Sequence, residues 1–152
     1  PMSRVYPLEA ENQPLAPERA TPQEARMPAP VSAPASATIS RWSDLPVDRP
    51  MDLLERRRVI GDKAMISHIT LRRGFKVATH AHENEQFSCV LSGKIRFGLG
   101  AEGAKDRREV TVGAGEVIHL PSNLPHSAEA REDTIVLDIF SPPSATTGID
   151  RK

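Results

Sequence analysis

Cysteine is almost missing from this 152-residue chain, which has only Cys89. No intrachain disulfide can form, and a reducing compartment is the natural setting. Net charge is missing too. Lys plus Arg and Asp plus Glu both number 20, so no global field draws the chain to nucleic acid or to an anionic membrane, and its partners must be read locally. No apolar run approaches the roughly 18–20 residues needed to cross a bilayer, and no stretch resembles the apolar region of a secretory signal. A cytoplasmic protein without membrane or nucleic-acid partners is expected. Internal repeats are also missing, and the length suits one domain with a real core.

Proline is concentrated at one end. Residues 1–38 hold eight of the fourteen prolines and no sustained apolar period, so this segment reads as a Pro/Ala-rich tail or arm that cannot offset its own ordering entropy. Two readings stay open for it: a solvated tail, or an arm wrapping a neighbouring subunit through Val5, Tyr6, Leu8 and Leu15. Residues 39–62, with Trp42 and the run Arg56-Arg57-Arg58, mix turn signals with a short helical turn near Asp48 and Pro50. They are expected to cover a sheet edge. Residues 63–143 are the expected β domain, and 144–152 a C-terminal tail.

The β domain is read from short apolar or alternating runs at Lys63–Arg72, Phe75–His80, Gln86–Leu91, Lys94–Leu99, Glu109–Val112, Glu116–Leu120, Ser127–Ala130 and Thr134–Phe140. Turn chemistry separates them at Gly74, Ser92-Gly93, Gly113 to Gly115 and Ser122-Asn123. Eight short strands and almost no helix imply an all-β antiparallel sandwich or barrel. Cys89, alternating with Phe87 and Leu91, reads as a packed thiol. Ile60, Met65, Ile69 and the Trp42 segment offer more apolar surface than one small sandwich hides, so a homodimer is expected.

Histidine supplies the chemistry. His80, His82 and Gln86 lie at i, i+2 and i+6, positions that share one face of an extended strand while Glu83 and Glu85 point away. His126 follows a Gly115-to-Pro125 stretch. Imidazole suits Zn, Ni, Fe and Cu, and an amide oxygen is a workable companion, so His80, His82, Gln86 and His126 are candidate ligands of one divalent transition metal ion such as Ni, Zn, Fe or Mn. A ligand set without charge would leave the ion's Lewis acidity for a small-molecule substrate. His68 and His119 lack such offsets and read as ordinary strand residues.

The spacing of these residues resembles the two motifs of the cupin superfamily, which are small jelly rolls, or double-stranded β-helices. Gly74, His80, His82, Gln86 and Gly93 fall on the first motif, with Gln where Glu is usual. Gly115, Pro121, Asn123 and His126 fall on the second, with Asn123 where glycine is usual, a replacement that Asn's ease in left-handed backbone allows. HAHENEQ, VLSG, PSNLPH and DIFSPP are more particularly similar to the KdgF family of pectin and alginate catabolism. That resemblance implies a three-histidine, one-glutamine metal site and catalytic roles for Asp138 and Phe140. It implies ring opening and tautomerisation of an unsaturated monouronate. The family's arginine after SPP is Ser144 here, a departure at the group that handles the uronate carboxylate. Arg72, Arg73, Lys94 and Arg96 are the cations left to replace it. An isomerase, tautomerase or lyase acting on a small oxygenated molecule is the first reading; an Fe(II)-dependent dioxygenase and a non-catalytic sensor are its alternatives.

Overall fold

A computed structural model describes residues 36–143. Most of the expected arm, and the tail that holds Ser144, lie outside the described residues. Nine strands follow one 3₁₀ turn at Trp42–Asp44: β1 (Leu54–Ile60), β2 (Met65–Leu71), β3 (Lys76–His80), β4 (Glu85–Ser92), β5 (Lys94–Leu99), β6 (Arg108–Gly113), β7 (Val117–Leu120), β8 (His126–Ala130) and β9 (Thr134–Ser141). They form two antiparallel sheets, ordered β1-β2-β9-β4-β7 and β3-β8-β5-β6. This is the expected all-β jelly-roll architecture. No helix among the described residues is long and apolar enough to cross a membrane.

Strand alternation sorts the side chains. On β9, Thr134, Val136, Asp138 and Phe140 are buried between the sheets, and Ile135, Leu137 and Ile139 half-buried on the outer face. The inner faces of β2, β4 and β5 add Ile69, Leu71, Val90, Ile95 and Phe97 to one core cluster. Fully burying a side chain of this kind contributes about 1.5–3 kcal/mol. Met65 and Ile69 belong inside, at 0% and 4% exposure, which corrects their expected place on a dimer surface; Ile60 and Trp42 do remain exposed, at 60% and 36%. Parity explains the correction, because Met65 and Ile69 share the inward face of β2 with Ser67. Cys89 is half-buried on the outer face of β4 beside Phe87.

The segment expected to cover a sheet edge also supplies that edge. Its Leu54–Ile60 run forms β1, paired with β2 from Leu54↔Leu71 to Ile60↔Met65. The expected helical turn near Asp48 is replaced by the turn at Trp42–Asp44 and a β-bridge between Asp48 and Arg56. Within the Arg56-Arg57-Arg58 run, Arg56 is only 2% exposed. Asp48 takes hydrogen bonds from Arg56 Nε and Nη2 at 3.0 Å each and from Arg58 Nη2 at 2.9 Å, and these guanidinium groups hold its carboxyl below the usual range against the opposing effect of burial.

Two left-handed residues hold the corners that matter. Gly93, at φ 73°, turns β4 into β5 where an added Cβ would lie 2.4 Å from the Asp133 carbonyl oxygen, so only glycine fits. Asn123, at φ 61°, takes the conformation expected of it, and its backbone N–H donates to the His82 carbonyl at 2.8 Å. That bond ties the PSNLPH turn to the HAHENEQ segment.

Candidate metal centre and cavity

His80 ends β3 and His126 begins β8, and the two are directly paired across the ladder. Gln86 stands on β4, in the other sheet. The single extended strand expected to carry His80, His82 and Gln86 therefore does not exist. β3 and β4 belong to different sheets, and the chain crosses between them over residues 81–84, placing His82 at the corner. The three histidines still converge, with ligating nitrogens all within 4.8 Å of one another, near the roughly 3–4 Å span of two nitrogens bound to one ion at about 2.0–2.1 Å.

The corner is held from several sides. Ser122 Oγ donates to the Glu83 carbonyl at 2.7 Å, and the buried amide of Asn84 donates to the Pro142 carbonyl. Glu83 is exposed, and Glu85 turns outward to His119 Nε2 at 2.7 Å. His119 stacks on Phe87, and His68 packs against Trp42 with ring centroids 5.3 Å apart. Neither histidine joins the cluster.

Backbone carbonyls fix the tautomers. Nδ1 of His80, His82 and His126 lies 2.9, 3.0 and 2.8 Å from the carbonyls of Ala78, Asn84 and Leu124. A carbonyl only accepts, so each Nδ1 carries the proton and each neutral ring keeps its Nε2 lone pair. Burial favours the neutral form of two of these rings. It pushes His126 down to about 4, with His80 and His82 adding to the effect, and it lowers His82.

Gln86 is oriented by its other end. Its Nε2 donates to Ser88 Oγ at 2.9 Å and to Asp138 Oδ2 at 3.1 Å, while Ser88 Oγ donates to Asp138 Oδ1 at 2.6 Å. This turns Oε1 toward His82 Nε2, 3.1 Å away. With the proton on Nδ1, two acceptor atoms face each other at contact distance in a half-buried site, an arrangement that a shared cation relieves. The residues fit a cation: three imidazole lone pairs and an amide oxygen are a donor set for a transition metal ion.

All six expected site residues gather at this place. Phe140 sets its ring edge-on to His82 with centroids 5.8 Å apart. Asp138 is 8% exposed; burial pushes its carboxyl up to about 6, against the pull of the Ser88 and Gln86 hydrogen bonds. Ser88 and Asn84 were not singled out in the sequence. Ser88 was within reach, since it follows Gln86 by two on one strand and so shares its face. Nothing local marks Asn84, whose partner lies 58 positions away.

A narrow cavity of about 50 Å³ runs inward from this cluster, enough for on the order of four waters. His80, Gln86, Ser88, His126, Asp138 and Phe140 line one end, and the rest of the lining is aliphatic or aromatic, including Leu71, Phe75, Ile95 and Phe97. No Lys or Arg lines it among the described residues. Arg72 pairs with Asp133, Lys94 with Glu132, and Arg96 with Glu109 and Glu129, all outside the sandwich. Arg73 is exposed, its backbone N–H donating to Asp133. Inward Ile95, Phe97 and Leu99 settle the face of β5.

The sequence matches the cupin domain family over residues 67–140. The chain carries a cupin domain. An RmlC-like cupin from Shewanella frigidimarina shares its fold with a TM-score of 0.64 and 22% identity, over 72% of this chain and 95% of that one. KdgF from a Halomonas species gives the same score and identity, over 72% and 97%. An oxalate decarboxylase of Bacillus subtilis, a protein with Mn(II) centres, gives a TM-score of 0.60 at 22% identity; the match takes in 73% of this cupin but 32% of that chain. No curated protein matches the sequence.

Proposed function

We propose that this cupin is a metal-dependent, redox-neutral enzyme of isomerase, tautomerase or lyase type, acting on a small oxygenated molecule. The observation that carries this reading is a buried carboxylate, Asp138, held by Ser88 and Gln86 on the wall of the cavity where three imidazole lone pairs meet. A divalent transition metal ion held by His80, His82, His126 and Gln86 would supply Lewis acidity to ligand oxygens. Asp138 is the base. A carboxylate raised to about 6 removes a proton better than an ordinary one yet is mostly ionised at neutral pH, so it can take a proton from a carbon or hydroxyl and return it elsewhere on the same molecule. Ser88 and Gln86 fix its direction, and Phe140 closes the site beside His82. The unsaturated uronate implied by the resemblance to KdgF is the acidic member of this substrate class.

The test is metal analysis of protein prepared without chelators, beside exchange of α-hydrogen for deuterium in small hydroxy-carbonyl compounds, followed by NMR. Asp138→Asn is expected to keep its metal and lose exchange by about 10²–10⁴-fold. Exchange that survives Asp138→Asn overturns the assignment of the base. Oxygen uptake that requires iron overturns the redox-neutral reading in favour of the dioxygenase.

A further inference from the structure

The cavity has a direction. His126, Ala128 and Ala130 mark inward steps along β8, and the lining changes within about 13 Å from His126 and His80 to Ile95, Leu71 and Phe75. The histidine end is the open one: His80 and His82 are half-exposed, whereas Leu71 and Phe75 at the far end are each 3% exposed. Every polar lining group sits at the open end. A ligand entering this slot finds oxygen-binding groups for its head and only hydrocarbon for whatever follows.

We infer that the substrate is a short aliphatic α-hydroxyketone, uncharged, with two adjacent oxygens as its head and an alkyl tail in the apolar slot. The inference rests on the proposed function and narrows it. A sugar acid carries a hydroxyl on nearly every carbon, and each one buried beside Ile95 or Phe97 without a partner weakens binding on the order of tenfold. Among the described residues no Lys or Arg lines the cavity to meet its carboxylate, so only the bound ion could do so. Asp138, on the same wall as the candidate ligands, is the base available to a hydroxyketone head.

Full-length protein loaded with Co(II) gives the test, with the visible spectrum of the ion reporting occupancy of its neighbourhood. Hydroxyacetone, acetoin and propioin are titrated against D-galacturonate. Affinity is expected to rise roughly fourfold per added methylene until the slot is full, with propioin binding at least tenfold more tightly than the polyhydroxy acid. Ala128→Leu is expected to leave the Co(II) spectrum intact and to weaken propioin more than hydroxyacetone. Tighter binding of galacturonate than of propioin, or affinities flat along the ketone series in the wild-type chain, overturns the substrate class while leaving the metal reading in place. Failure to take up Co(II) overturns the metal reading, and this inference with it.

Discussion

The two ends of the cavity share strands, ladders and pleat, yet differ in what they do for the fold. At the far end Leu71, Ile95 and Phe97 bury hydrocarbon against hydrocarbon. At the open end Gln86, Ser88, His126 and Asp138 are buried just as deeply, but burial works against them: it pushes Asp138 up to about 6 and His126 down to about 4. Both shifts mark a charge that costs more inside than in water. The site is thus a locally destabilised region carried by the core beside it.

The comparison can be broken most forcefully from the apolar end. Phe97→Ala, at a site 2% exposed, is expected to lose about 3–5 kcal/mol in urea unfolding. A loss below about 1 kcal/mol would place the stability elsewhere.

At the open end the effect is next in size and depends on pH. Between pH 3.8, the ordinary value, and about 6, folded Asp138 keeps a proton that the unfolded chain has released, so its contribution to stability falls as pH rises through that window. His126 does the reverse. Its unfolded imidazole takes a proton below 6.5, and the folded one resists until about 4, so stability falls as pH drops through that range. The two slopes oppose each other in metal-free protein. Asp138→Asn is expected to gain about 3 kcal/mol above pH 6, to lose that advantage near pH 4, and to expose the acid sensitivity due to His126. Melting curves from pH 4 to 8 on metal-free protein check this, and a variant no more stable at pH 8 than at pH 4 relative to wild type would contradict it.

Smaller changes sharpen the contrast. Asn123→Ala, at φ 61°, is expected to lose about 1–2 kcal/mol and Asn123→Gly almost nothing, by thermal unfolding. Ser67, opposite Asp138 in the ladder, is fully buried with its hydroxyl unpartnered. Ser67→Ala should gain up to about 1 kcal/mol, and a comparable loss would mean the hydroxyl has a partner.

β2 to β9 are legible in the sequence because their apolar residues alternate and Gly or Asn punctuates the turns. β1 is not, because Glu55-Arg56-Arg57-Arg58 shows no apolar alternation. Arg56 faces the interior as an ion pair with Asp48, eight positions away, and a charged inward residue is invisible to a hydrophobic pattern. The site was legible through its offsets, which survive whether the chain between His80 and Gln86 is straight or turns a corner. The corner itself depends on Asn123 and Pro142, contacts distant in sequence that no local pattern encodes.

The bond from Asn123 to the His82 carbonyl joins segments about forty positions apart, and the candidate ligands come from both sheets. No short fragment of the chain can present them together. Loop closure and long-range strand pairing, the slow events in folding a sandwich, must precede tight capture of an ion. On the proposed metal reading, uptake during refolding would be a clock for closure of the two sheets, and excess metal would stabilise the finished barrel by mass action without hastening its assembly.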